Sequence, residues 1–75
     1  MWNNQQIQDL KKRAYRFYFD DYIGEHLAGL NIHLNNAEGE PLVHQKNNEW
    51  RAAEREAVLI ADRMATLNVE LNSLN

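Results

Sequence analysis

The chain predicts an all-α fold: an antiparallel helical hairpin or small three-helix bundle with a long C-terminal amphipathic helix. Three observations carry that expectation. Trp50, Ala53, Ala57, Ile60, Met64, Leu67, Leu71 and Leu74 recur at steps of three and four, which keeps one apolar stripe on one side of a helix. Ile7, Leu10, Ala14 and Phe17 show the same rhythm near the start, and Ile23, Leu27, Leu30 and Leu34 resume it about one residue out of phase. Pro41, the only proline, closes the clearest turn signal, Asn35-Asn36-Ala37-Glu38-Gly39-Glu40-Pro41.

Taken in order, the first helix is expected over about residues 4–20. Asn3 or Asn4 can cap it, because a side-chain oxygen there accepts from a free backbone N–H. Tyr15, Tyr18, Phe19 and Tyr22 broaden its stripe into an aromatic wedge. The change of phase, together with Gly24 and Gly29, predicts a bend or break near Asp20–Gly24, since glycine weakens a helix interior. A second helical stretch should then run over about 21–35.

The turn is expected at 35–41, where asparagine and glycine tolerate positive φ and a proline cannot continue a preceding helix. An alternative for this region is a short β-hairpin pairing Asn31–Asn35 with Leu42–Gln45. The last helix is expected over about 42–72, starting at Pro41 or at an Asn47/Asn48 cap. Val58, Leu59, Ala61, Ala65 and Val69 widen its apolar face, which favours a bundle over a two-stranded coil. Ala53 and Ala57 leave a shallow hollow that Phe17, Tyr18 and Phe19 are expected to fill.

Seventy-five residues suit one domain, 1–75, short of core for its size. With no cysteine, disulfides and thiolate-bound zinc are excluded as supports. Association is the expected remedy, as a homodimer forming a four- or six-helix bundle. No apolar run approaches the ~20 residues of a membrane span, and Met1-Trp2-Asn3-Asn4-Gln5-Gln6 does not read as a signal sequence. A cytoplasmic protein without membrane contact is therefore expected.

Chemistry narrows the function classes. His26, His33 and His44 form no compact ligand pair, so no metal or other cofactor is expected. Asp20-Asp21 and Glu54/Glu56 are neighbouring charges that diverge around a helix. Thr66 and Ser73 have no histidine close in sequence, and no glycine-rich phosphate loop occurs. A non-enzymatic protein follows.

The charge is polarised. Residues 1–19 carry Lys11, Lys12, Arg13 and Arg16 against Asp9, a local +3, and residues 20–75 a local −6, summing to the net −3. Such a molecule can steer toward a charged partner or a copy of itself. The leading expectation is a small intracellular regulator or inhibitor that binds a larger protein. Its contacts would be Tyr15, Tyr18 and Tyr22 with Asp20, Asp21 and Glu25. An acidic surface of this kind can also occupy a nucleic-acid-binding face on another protein. The alternative is RNA or ribosome binding by Lys11, Lys12, Arg13 and Arg16, where cations and the Tyr15 ring share a strip of helix.

One local likeness points the same way as that alternative. Glu49-Trp50-Arg51-Ala52-Ala53-Glu54-Arg55-Glu56-Ala57, with Pro41 upstream, resembles the second-helix segment of ribosome modulation factor-type small proteins. The resemblance implies ribosome binding. Ala52-Ala53 stands where that family has a glycine pair, Leu42 where it has an aromatic, and its overall basic charge is absent.

Overall fold

A computed structural model describes residues 2–73 of the chain, with side chains as far as Asn68. It contains three helices: α1 (Asn4–Ala14), α2 (Asp21–Gly39) and α3 (Val43–Ser73), with a 3-10 turn at Tyr15–Phe17. No strand occurs among the described residues.

Each boundary has a local cause. Asn3 begins α1 with a reciprocal cap: its side chain accepts from the Gln6 N–H at 2.8 Å, and the Gln6 side chain accepts from the Asn3 N–H at 2.8 Å. The expected first helix to residue 20 is too long. α1 ends at Ala14, and the chain tightens through Tyr15–Phe17 before Asp20 turns extended (φ −79°, ψ 121°). The Asp20 carboxylate accepts from the Ile23 N–H at 3.0 Å and so caps α2. A residue spent on starting one helix cannot also prolong another. The expected break is therefore present, displaced N-terminally to Tyr15–Asp20.

α2 runs four residues further than 35 and buries Ala37 completely. The segment 31–39 is helical, which overturns the β-hairpin alternative. Gly39 does not end α2 by positive φ, since no described residue has one. Pro41 does so instead. Its ring disfavours helical backbone at the preceding residue, and Glu40 is accordingly extended (φ −87°, ψ 117°). Glu40 then accepts from the Leu42 N–H at 3.1 Å, and the Leu42 carbonyl accepts from the Lys46 N–H at 2.9 Å to open α3. Neither Asn47 nor Asn48 caps it; both lie inside the helix.

α2 and α3 fold back on each other as an antiparallel pair, and α1 packs against both. The core draws Ile7, Leu10 and Ala14 from α1, Ile23, Leu27 and Leu30 from α2, and Ala53, Ala57, Ile60 and Met64 from α3. Trp50 and Leu67 extend the same stripe at the edges of that core. The seam read from the sequence thus faces inward from Trp50 to Leu67. Leu74 and the side chains of Val69 and Leu71 lie outside the described residues.

The hollow at Ala53 and Ala57 is filled differently from the expectation. Leu30 of α2 is buried in the same core as Ala53 and Ala57 of α3, whose short side chains suit close packing of helices. Of the three aromatics expected there only Phe17 packs on the core, beside Ala61 and Met64. Tyr18 and Phe19 are 66% and 76% exposed, because the α1–α2 corner turns them outward. The molecule measures 50 × 21 × 15 Å, its long axis set by α3. Among the described residues no helix is long and apolar enough to cross a membrane.

Candidate functional site

The α1–α2 corner holds three of the six residues expected to contact a partner, Tyr15, Tyr18 and Asp20, and it splits them between two sides. Tyr15 is 49% exposed and, with Tyr18, walls a cavity of about 580 Å³ whose floor is Gly24, Leu27 and Ala28. Gly24 suits that floor, with the Tyr18 carbonyl oxygen passing 3.5 Å from the place a Cβ would occupy. Asn31 closes the cavity and donates to the Tyr15 hydroxyl at a long 3.5 Å. Its own Oδ1 is buried and meets no donor among the described residues.

Asp20 belongs to the scaffold. Arg63 donates to it at 2.9 Å across the α2–α3 interface, and this bond, with the Ile23 N–H, holds its carboxyl below the usual carboxylate range. Tyr22 packs on His26 one turn along α2, their ring centroids 4.3 Å apart. Asp21 and Glu25 remain exposed one turn apart on the outer side of α2. At about 100° per residue, Glu25 lies about 60° round α2 from both Ala28 and Tyr22, and Asp21 lies nearly in line with Ala28, two turns away. The six residues do not form one patch.

The basic strip also divides. Lys11 is half-buried beside Leu34, Glu38 and Lys46, on the α2 side of α1. Lys12 points outward. Arg13 and Arg16 lie along the opposite groove, against α3. Four cations aimed three ways do not track a single phosphate backbone.

The histidines hold a feature the sequence reading missed. His26 Nδ1 contacts Glu56 Oε2, and His33 Nδ1 lies 2.7 Å from Glu49 Oε2, both pairs half-buried between α2 and α3. A carboxylate can only accept, so each Nδ1 carries the proton and each Nε2 is left without one in the neutral ring. The His33 bond holds the Glu49 carboxyl below its ordinary range, with Asn36 assisting. With Asp20–Arg63 these pairs make a ladder of three polar rungs along one edge of the interface. The signal for it was present: His26 and Glu56 each stand fifteen residues from Pro41, and His33 and Glu49 each eight. An antiparallel hairpin centred on that proline must bring them together. Among the described residues no three His, Asp or Glu side chains converge as a metal site would require.

Comparison with protein families, with curated proteins and with solved structures yields no match. The local likeness of Glu49–Ala57 to ribosome modulation factor-type proteins therefore has no family-wide counterpart, and the chain's function is argued from its surface.

Proposed function

We propose that the chain is a non-enzymatic, cytoplasmic regulator or inhibitor that acts by docking on a larger protein. The observation that supports this reading is the corner itself. Tyr15, Tyr18 and Phe19 are 49%, 66% and 76% exposed on the junction between two N-capped helices. Large aromatics left in water at a fixed position are the residues that carry binding energy in protein interfaces. The hollow beneath Tyr15 and Tyr18, floored by Leu27 and Ala28, offers an apolar anchor site. Asp21 and Glu25 supply acidic character on the exposed side of the same end of α2.

A homodimer remains part of the proposal. Val58 and Leu59 on α3 are 40% and 38% exposed, and Ile32 on α2 is 57% exposed. They are the apolar surface a second copy would cover. RNA binding through Lys11, Lys12, Arg13 and Arg16 has less support, because those cations diverge.

The test is capture from native lysate with the intact chain and with a Tyr15→Ala/Tyr18→Ala variant. A stoichiometric protein bound by the first and lost by the second, at unchanged helical content, is the expected outcome. Capture of RNA whose retention falls steeply with salt would replace this reading with the alternative.

A further inference from the structure

The other flank of α1 carries a second surface with its own chemistry. Between α1 and α3 runs a groove of about 420 Å³. Its floor is apolar, made by Leu10, Phe17, Ala61, Met64 and Ala65. Its rim carries Arg13 and Arg16, both exposed, and no carboxylate among the described residues lines it. Neither arginine has a hydrogen bond or ion pair among the described residues. The carboxylates of the chain lie elsewhere: Asp20–Leu42 holds five of them and no lysine or arginine. One of the five, Asp20, is already engaged by Arg63.

Two unneutralised cations beside an apolar trough call for a partner with the complementary pair of properties. The dimensions add a third constraint. From Ala61 to Asn68 α3 advances about 10 Å at 1.5 Å per residue, the distance between anchors i and i+7 of a docked helix. Beyond Ala14 the wall of the groove is carried on by Arg16 and Phe17 of the 3-10 turn.

The geometry points to a docking groove for an acidic amphipathic helix of another protein. Its aliphatic side chains at i, i+4 and i+7 lie on the Leu10–Ala61–Met64–Ala65 floor. Asp or Glu residues flanking that stripe pair with Arg13 and Arg16. A nucleic acid fits less well, since phosphates would meet the two arginines but the two rings that line the groove, Trp2 and Phe17, are both half-buried. This inference rests on the reading of the chain as a docking protein and names a partner class. It places the contact away from the Tyr15–Tyr18 hollow.

The test uses the full chain, isotopically labelled, titrated with a synthetic helix of about 16 residues bearing leucine at i, i+4 and i+7 and glutamate beside them. A matched peptide with lysine for glutamate and a uridine-rich oligonucleotide are titrated in parallel. The expected result is saturable binding of the acidic peptide, with amide shifts centred on Ala61, Met64 and Ala65. An Arg13→Glu/Arg16→Glu variant, folded because both side chains are exposed, should bind it at least about tenfold more weakly and should now accept the lysine peptide. Equal binding of both peptides, oligonucleotide binding at the same amides, or protection of those amides by self-association would overturn the groove assignment. So would no peptide binding at all. Shifts confined to Tyr15 and Tyr18 would overturn it too, while leaving the broader docking proposal standing.

Discussion

A Cβ built on Gly29 would stand 3.3 Å from the carboxyl carbon of Glu56. The surface of α2 is bare where the Glu56 side chain crosses it to reach His26. Gly24, five residues earlier, faces only the Tyr18 carbonyl oxygen, at an ordinary 3.5 Å. The two glycines lie in the same helix but do different things.

Gly24→Ala should therefore raise stability by about 0.5–1 kcal/mol, the gain in helix propensity with nothing displaced. Gly29→Ala should gain less, because its methyl pushes the Glu56 carboxylate aside and weakens the bond to His26. Urea unfolding midpoints of the two variants measure the difference. A greater gain for Gly29→Ala would mean that Glu56 is not held against α2.

Asp20 and Glu49 both have carboxyls held below their ordinary range, by Arg63 and by His33 respectively. A folded-state pKa lower than the unfolded one gives stability that is present above the unfolded value and is lost as pH falls through the folded value. The bundle should thus weaken on acidification below about pH 4. Asp20→Asn keeps a competent helix cap but loses the charge on Arg63's partner, and Glu49→Gln does the same for His33. Both variants should show a shallower loss of melting temperature between pH 5 and pH 2.5 than the parent chain. Parallel curves would refute the assignment.

Ile60 is fully buried and Phe19 is 76% exposed, although both are large apolar residues. Ile60→Ala should cost about 2–5 kcal/mol, a large share of the roughly 4–11 kcal/mol available to a chain of this length. Phe19→Ala should change stability by no more than about 0.5 kcal/mol. Denaturant titration followed by helical circular dichroism reads both.

The association proposal has a direct measurement in sedimentation velocity at micromolar concentration. A species of twice the 8.8 kDa chain mass is expected, and Val58→Glu/Leu59→Glu should return it to monomer. A parent chain that is monomeric throughout removes the dimer from the proposal.

The long helix and its inward seam were legible because a strict three-four spacing from Trp50 to Leu67 has no other economical explanation. The end of α1 was not. Tyr15–Phe19 carry nothing that forbids a helix, and the chain leaves helical geometry there because Asp20 caps the next one. Asp20 three residues before Ile23 was the available signal, outweighed by the apolar rhythm on both sides. The end of α2 was misplaced for the opposite reason. Asn35, Asn36 and Gly39 read as turn formers, yet burial of Ala37 and the pull of Pro41 on Glu40 fix the boundary. The six candidate contact residues are near neighbours in sequence, and the corner at Tyr15–Asp20 separates them in space. The histidine–glutamate rungs could have been found by counting outward from Pro41.

The three-residue link Glu40–Leu42 gives the molecule an order of assembly. A hairpin closed over so short a span loses little chain entropy, so α2 and α3 can zip together from Pro41 outward, rung by rung. α1 is shorter and reaches its seat only across the Tyr15–Asp20 corner. It should be the first part to come away in transient openings, and its amides should exchange with solvent deuterium sooner than those of Leu27, Leu30 and Ile60. The trough between α1 and α3 would widen in those moments, so the least tightly held element also controls entry to it.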